Sequence, residues 1–189
     1  MKTPTVRPAR LEDAEQVLEL SEIAGHGFLP HYFLQVLPPE GSLRDFMLSR
    51  VQSDDGKMSY SKCWIAEVDG QIAGMINLDP IPASPGPISP DTPAMFRPLA
   101  ELEAQAPETV VIEFLATRPA FRGHGVGKAL LRVADQNRGP RGVSLVVSDN
   151  NGAARSLYGA HGFAEVTRRA IVKDGWQSEG REWILMIKS

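Results

Sequence analysis

The stretch that decides the fold is TVVIEFLATRPAFRGHGVGKALLRVADQNRGPRGVSLVVS, residues 109–148. Residues 109–117 alternate in the manner of a largely buried strand, and residues 143–148 form a short apolar run typical of a second one. Between them, a helical stripe of apolar side chains extends to about residue 137; its members are Val126, Leu130, Val133 and Ala134. Strand, helix and strand in this order predict a right-handed βαβ unit with two parallel strands.

The segments on either side predict antiparallel strands and more helices. Residues 64–68 and 71–78 are rich in β-forming side chains and are separated by Asp69-Gly70, a dipeptide typical of tight hairpins. Residues 163–172 and 183–187 predict a closing hairpin. The remaining predictions are an edge strand at 3–9, helices at 11–25, 43–51, 94–105 and 151–160, and a loop at 26–32.

Composition limits the class of protein. The 189 residues are 42% hydrophobic and 23% charged, with 20 basic and 23 acidic side chains, as in one soluble domain spanning residues 1–189. The slightly negative net charge argues against a dedicated nucleic-acid binder, and no apolar run approaches the length of a membrane span. The single cysteine, Cys63, excludes an internal disulfide framework. It favours a cytoplasmic location, and no spacing of side chains indicates a metal site.

The loop at residues 122–127, Arg-Gly-His-Gly-Val-Gly, indicates an anion site. Glycines allow backbone N–H groups to face a bound anion, and the following helix adds the positive end of its dipole. No acidic residue lies between Glu113 and Asp135, whereas Arg118, Arg122, Lys128 and Arg132 are basic. We therefore expect a phosphate or pyrophosphate ligand in a local cationic window.

Spacing separates several interpretations of this loop. A Walker loop requires glycine where Arg122 stands and serine or threonine where Ala129 stands, so that interpretation fails. A dinucleotide fingerprint fits Gly123 and Gly125, with Asp149 ending the next strand, but Lys128 replaces the third glycine. This alternative remains open, as does a tight turn that has only a structural role.

Two longer motifs indicate a known family. Residues 114–131, FLATRPAFRGHGVGKALL, resemble the coenzyme A motif of the GNAT N-acetyltransferases, Arg/Gln-x-x-Gly-x-Gly/Ala, filled here by Arg122, Gly125 and Gly127. Residues 151–163, NGAARSLYGAHGF, are similar to the N-x-x-A-x-x-L-Y-x-x-x-G-F helix of that family. The resemblance implies an α+β or α/β fold with a mixed, mostly antiparallel central sheet, a splayed parallel βαβ core and helices on both faces.

The resemblance also implies a reaction, the transfer of an acetyl group from acetyl-CoA to a primary amine by direct attack in a ternary complex. Strand backbone would hold the pantetheine and thioester, and backbone N–H groups of the glycine loop would hold the pyrophosphate. The residues assigned to the coenzyme in this way are Leu115, Ala116, Thr117, Arg122, Gly123, His124, Gly125, Val126, Gly127, Lys128 and Asn151.

The resemblance makes Tyr158 the general acid that protonates the departing thiolate; a ring packed in the core is the alternative, because Ala154, Leu157 and Tyr158 form a helical stripe. The general base is harder to identify, because residues 143–148 contain no carboxylate. Glu113, on the face of its strand that also carries Leu115 and Thr117, is the leading candidate. A structural ion pair is its alternative role, and Asp79 is a more distant choice. A non-catalytic acyl-CoA-binding or regulatory module therefore remains an alternative function.

The acceptor that we expect is a small-molecule or peptide amine, and the surfaces that we expect to pair in a homodimer are the C-terminal hairpin or the edge strands. Seven of the fifteen prolines fall between Pro80 and Pro98, in a connection of about thirty residues between two predicted strands. We interpret this stiff segment as a wall or lid of the acceptor pocket; a surface embellishment or a dimer contact are the alternatives.

Overall fold

The computed structural model describes residues 3–189. Its strands are β1 (Thr5–Pro8), β2 (Cys63–Val68), β3 (Gln71–Pro80), β4 (Val110–Thr117), β5 (Val143–Ser148), β6 (Ala164–Ala170) and β7 (Glu182–Lys188). Its α-helices are α1 (Ala14–Gly25), α2 (Phe28–Val36), α3 (Leu43–Gln52), α4 (Arg97–Glu103), α5 (Val126–Gln136) and α6 (Gly152–Ala160). Among the described residues, no helix has the length and apolar character that crossing a bilayer requires.

The strands follow the order β1-β2-β3-β4-β5-β7-β6 in a seven-stranded sheet. β4 and β5 are parallel, whereas β1 with β2, β2 with β3, β5 with β7 and β6 with β7 are antiparallel. The predicted mixed, mostly antiparallel sheet with one parallel pair is therefore confirmed.

The chain forms two compact units. The first comprises the described residues up to Leu78 together with Glu113–Val133, and the second comprises Asp79–Ile112 and Ala134–Ser189. β4 contributes its first three residues to the second unit and its last five to the first. That residues 1–189 act as a single domain stays a prediction.

In the first unit, the predicted hairpin and edge strand are confirmed. Asp69 and Gly70 take φ values of +51° and +76°, the left-handed pair that a type I′ turn between β2 and β3 requires. β1 pairs with β2 from Thr5 opposite Glu67 to Pro8 opposite Trp64. Because proline cannot donate to a ladder, a strand ending in Pro8 suits the edge of a sheet.

The loop predicted at residues 26–32 is wrong, because α2 begins at Phe28. Phe28 and Leu29 are buried in the first unit, so packing favours a helix where the short sequence pattern was ambiguous. Pro30 does not prevent this, since it stands in the first helical turn, where a backbone N–H has no partner within the helix.

The first unit brings β3 unusually close to the end of β4. A Cβ atom added at Gly74 would lie 2.5 Å from the carbonyl oxygen of Ala116 and 2.8 Å from Cγ1 of Val126. Any side chain at this position would therefore push β3 away from both β4 and the start of α5. Gly74 fixes the position of the strand end and of the segment that follows it.

In the second unit, Val110, Val111 and Ile112 of β4 face Val143, Ser144 and Leu145 of β5 in parallel register, as predicted. The closing hairpin is confirmed as β6 and β7. A core cluster is formed by Leu102, Ala106 and Leu185. Helix α4 is shorter than the predicted helix 94–105, and it supplies Leu102 to this cluster.

The proline-rich segment is held at both ends within the second unit. The N–H of Ile81 donates to the carbonyl of Thr109 at 2.8 Å, and the carbonyl of Ile81 accepts from the N–H of Glu108 at 3.0 Å. Near the other end, Met95 is buried and the Arg97 guanidinium donates to the carbonyl of Pro90 at 3.3 Å. These contacts give the segment a defined path; its role as a lid stays a prediction.

Candidate functional site

The glycine loop leads from β4 into α5 within the first unit. β4 ends at Thr117, a short 3₁₀ turn covers Pro119–Phe121, and α5 begins at Val126. Gly123 and Gly125 have φ values of +77° and +80°, a backbone conformation that side chains other than glycine rarely adopt. Around both positions the space that a Cβ atom would enter is open. The backbone conformation therefore accounts for glycine at positions 123 and 125.

The N–H groups of this loop are available to a ligand. The N–H of Arg122 donates to Pro119 at 3.2 Å, and that of Ala129 donates to Gly125 at 3.0 Å. Within residues 3–189, the backbone N–H groups of 123–128 donate no hydrogen bond of ordinary geometry. Because they surround the positive end of a helix, these donors suit an anion.

The side chains of the loop agree with this chemistry. Arg122, His124 and Lys128 are exposed, and Val126 is buried below them. Arg118 differs from the other basic residues in the window, because its guanidinium contacts the Glu19 carboxylate of α1 at 2.7 Å. Of the four basic residues that the sequence placed near the loop, Arg118 is therefore already engaged in an ion pair.

The end of β4 carries the residues assigned to the pantetheine. Ala116 is buried, and Leu115 and Thr117 are half-buried. The strand end is held in place because the N–H of Arg118 donates to the carbonyl of Ala73 at 2.9 Å. The first unit thus brings together Glu113, the three coenzyme candidates of β4 and the glycine loop.

Glu113 forms an ion pair, as its alternative structural role predicted, but with Lys57, a partner that the sequence analysis did not identify. Oε1 of Glu113 lies 2.6 Å from Nζ of Lys57, and the two side chains are 12% and 53% exposed, respectively. The backbone carbonyl of Lys57 in turn accepts a hydrogen bond from Nδ2 of Asn77 at 2.9 Å. The pair joins residues 56 positions apart, and residues 53–57 have no periodicity that would have indicated the contact.

Asn151, the N-cap of helix α6, and Tyr158, within that helix, belong to the second unit. The side chain of Asn151 caps the helix, since its Oδ1 accepts from the N–H of Ala154 at 3.2 Å. At the other end, Nδ1 of His161 lies 2.8 Å from the carbonyl of Leu157, and Gly162 follows with φ of +87°. The predicted helix at 151–160 is therefore confirmed, with Asn151 as its N-cap and His161 as its C-cap.

Tyr158 is buried, with 8% of its surface exposed, and its ring centroid lies 5.7 Å from that of Phe163. Burial raises the pKa of the Tyr158 hydroxyl to about 12. Within the part of the chain that the structure describes, this hydroxyl makes no hydrogen bond. Tyr158 is therefore a packed ring whose phenol is protonated at neutral pH.

The turn before α6 is tied to the loop between β6 and β7. Oδ1 of Asp149 accepts from the N–H of Arg181 at 2.9 Å. This hydrogen bond is the largest of several that hold the pKa of the Asp149 carboxyl below its usual range. The Arg155 guanidinium donates to the carbonyl of Asp149 at 3.2 Å. Asp149 is the acidic residue that the dinucleotide interpretation requires, and its engagement here disfavours a role in binding a ribose.

Cys63 has no nucleophilic character. It is 2% exposed, and burial raises the pKa of its thiol to about 12. Its Sγ lies 3.4 Å from the carbonyl of Ser59. Because the thiolate is the nucleophilic form, Cys63 is inert at neutral pH.

Comparisons with known proteins point to one family. Residues 31–163 match the model of the acetyltransferase (GNAT) family. Curated protein sequences give no match. Among solved structures, an N-acetyltransferase from Staphylococcus aureus Mu50 is 19% identical with a TM-score of 0.67, over 97% of this chain and 99% of that one.

Two further solved structures carry coenzyme. The diaminobutyrate acetyltransferase of Paenibacillus lautus, in complex with L-2,4-diaminobutyric acid and coenzyme A, is 20% identical with a TM-score of 0.58, over 99% of this chain and 96% of that one. A GNAT family acetyltransferase of Elizabethkingia anophelis with acetyl-CoA bound is 16% identical with a TM-score of 0.58, over 100% of this chain and 99% of that one. At these identities the likeness establishes the fold.

Proposed function

Because the chain belongs to the acetyltransferase (GNAT) family, we propose that it transfers an acetyl group from acetyl-CoA to a primary amine by direct attack in a ternary complex. The observation that carries this proposal is the start of α5, where the N–H groups of residues 123–128 donate no hydrogen bond of ordinary geometry within the described chain. Solved relatives of the same fold that contain coenzyme A or acetyl-CoA support it.

The residues present suit the coenzyme. Backbone N–H groups of residues 123–128 would bind the pyrophosphate, aided by the exposed charges of the Arg122 and Lys128 side chains. Leu115, Ala116 and Thr117 would hold the pantetheine and thioester. Asn151 would contact the coenzyme as well as capping α6.

Two groups carry the proposed proton transfers. Glu113 would accept a proton from the incoming ammonium, directly or through water, because a carboxylate is a suitable base for that step. Tyr158 would protonate the departing thiolate. The raised pKa of Tyr158, about 12, keeps its phenol in the donating form throughout the neutral range.

Direct attack is favoured over a covalent acyl-enzyme. The single cysteine of the chain is buried and its pKa is raised to about 12, so it supplies no thiolate near neutral pH. The nitrogen of the acceptor would therefore attack the thioester carbonyl itself.

The test combines binding with turnover. We expect acetyl-CoA to raise the thermal midpoint of the purified protein more than NAD or NADP does, and a panel of primary amines to include one that releases the CoA thiol. Stabilisation by acetyl-CoA without turnover on any amine would instead identify a non-catalytic acyl-CoA-binding module. Stabilisation by NAD or NADP but not by acetyl-CoA would instead support the dinucleotide interpretation.

A further inference from the structure

A primary amine of the chain itself lies beside the carboxylate that we assign as base. Nζ of Lys57 is 2.6 Å from Oε1 of Glu113, and the two charges lie within the first unit. The proposed acceptor is also a primary amine. The Lys57 ammonium therefore occupies the position beside Glu113 that an external amine would need in order to give up its proton.

The backbone beneath Lys57 is fixed. Asn77 is wholly buried on β3, and its Nδ2 donates to the Lys57 carbonyl at 2.9 Å. The next residues along the chain, Met58 and Ser59, are buried as well. The backbone at Lys57 is therefore held in place, whereas its side chain, which is 53% exposed, can change conformation.

Glu113 lies close to the expected thioester. It precedes Leu115 by two residues on β4, so the two side chains share one face of the strand at a separation of about 7 Å. The four-carbon stem of lysine spans a comparable distance, since its rotatable bonds allow the ammonium to move by several ångströms. Lys57 can therefore leave the carboxylate and approach a thioester held at Leu115–Thr117.

We propose that Lys57 is a self-acetylation site. The Lys57 ammonium gives one proton to the Glu113 carboxylate, and the neutral nitrogen forms a bond to the carbonyl carbon of acetyl-CoA. The carbon–sulfur bond breaks with its electron pair on sulfur, and the second proton lost by nitrogen balances the thiolate as CoA thiol. The products are Nε-acetyl-Lys57, CoA and one proton, which first resides on Glu113.

Acetylation of Lys57 ends its ion pair with Glu113, because the amide that forms is neutral. The inference rests on the proposed function, since it uses the same co-substrate and base. It adds an acceptor, in the same chain, that competes with external amines for the carboxylate.

The test uses the full chain with trideuteroacetyl-CoA and no added amine. Peptide mass spectrometry follows the heavy acetyl group on the fraction of Lys57 that is unmodified at the start, and Lys62, on the same segment, reports spontaneous acetylation. We expect Lys57 to be labelled at least about tenfold faster than Lys62, at a rate independent of protein concentration, with one CoA thiol released per chain.

Two variants sharpen this result. Glu113→Gln should reduce the Lys57 rate to that of Lys62 while acetyl-CoA still raises the thermal midpoint, and Lys57→Arg should abolish the stoichiometric thiol release. If Lys57 and Lys62 are labelled at equal rates in a chain that turns over an external amine, the self-acetylation inference is overturned and the proposed function is not. A labelling rate proportional to protein concentration would also overturn it. Absence of both acetyl-CoA stabilisation and amine turnover would overturn the proposed function with it.

Discussion

The helices α5 and α6 each follow one of the two parallel strands, and they begin in opposite ways. At α6 the side chain of Asn151 accepts from the N–H of Ala154 at 3.2 Å, so the protein itself satisfies a donor of the first turn. At α5 the loop is exposed, Gly123 and Gly125 take positive φ, and the backbone N–H groups of residues 123–128 donate no hydrogen bond of ordinary geometry within the described chain.

This difference separates a helix start that stabilises the fold from one that is open to a ligand. Water can satisfy the exposed donors at α5, so leaving them without protein partners costs little in the absence of a ligand. An anion placed there would gain several N–H contacts and the positive helix end at once. We therefore expect substitutions at the start of α5 to change coenzyme binding, substitutions of the cap residue Asn151 to change the stability of α6, and substitutions of Tyr158 to change the proposed proton transfer.

The largest effect is expected from Tyr158→Phe. Loss of a general acid lowers kcat by about 100-fold, whereas acetyl-CoA affinity stays within about twofold because the ring remains. Stability should be unchanged, since the hydroxyl makes no hydrogen bond among the described residues. Steady-state kinetics, with binding by calorimetry, measure both effects.

Tyr60→Phe is the matched control, because it removes a hydroxyl that lies 3.5 Å from Asp54 on the first unit. It should leave kcat unchanged. If Tyr158→Phe also leaves kcat unchanged, Tyr158 is a packing residue and α6 differs from α5 only in how it starts.

A smaller effect is expected from Gly125→Ala, which we predict to weaken acetyl-CoA binding by roughly tenfold, or about 1.4 kcal/mol. Its φ of +80° costs an alanine about 1 kcal/mol of stability, and a relaxed loop would turn its N–H groups away from the anion. Gly56→Ala is matched for strain, because Gly56 has φ of +99° and equally open surroundings. Equal losses of affinity in both variants would contradict a binding role for the glycine loop.

The contrast between the two helix starts also explains what the sequence could predict. Asp69-Gly70, Asn151 and Gly162 act through local backbone chemistry, so the hairpin and α6 were predicted correctly. α2 was missed because the burial of Phe28 and Leu29 depends on distant packing.

The site divides in the same manner. The glycine loop was interpreted as an anion site from a local run of sequence, and the positive φ of Gly123 and Gly125 is a local property of the same run. The ion pairs Lys57–Glu113 and Arg118–Glu19 join residues 56 and 99 positions apart, and no local pattern indicates them. Such contacts decide which charges are already engaged, and they emerge only from the three-dimensional fold.

Asn151 allows the two roles of the α6 start to be separated. Asn151→Ala removes the cap and should lower stability by about 1 kcal/mol, a shift of roughly 2–4 °C in the thermal midpoint. Asn151→Ser keeps a capping oxygen and removes the carboxamide, so it should retain stability. If the serine variant still loses acetyl-CoA affinity severalfold in calorimetry, Asn151 contacts the coenzyme. Unchanged affinity in both variants would restrict it to the cap.

The smallest effect concerns pH. With the pKa of Tyr158 raised to about 12, the phenol is protonated below that value, and only about 1% of it loses its proton at pH 10. An ordinary tyrosine with a pKa near 10 would be half ionised there, and an acid-dependent kcat would fall by half. We therefore expect kcat at saturating substrates to show no decline due to Tyr158 between pH 7 and pH 10. Tyr158→Phe supplies the baseline, because any decline in kcat that this variant shares with the native chain has another origin. Circular dichroism at each pH verifies that the fold persists.

A twofold fall in kcat by pH 10 that is present in the native chain and absent from the variant would mean that the hydroxyl is as well solvated as a surface phenol. In that case α6 would present Tyr158 to water as openly as α5 presents its N–H groups, and the contrast between an open and a closed helix would hold only for their first turns.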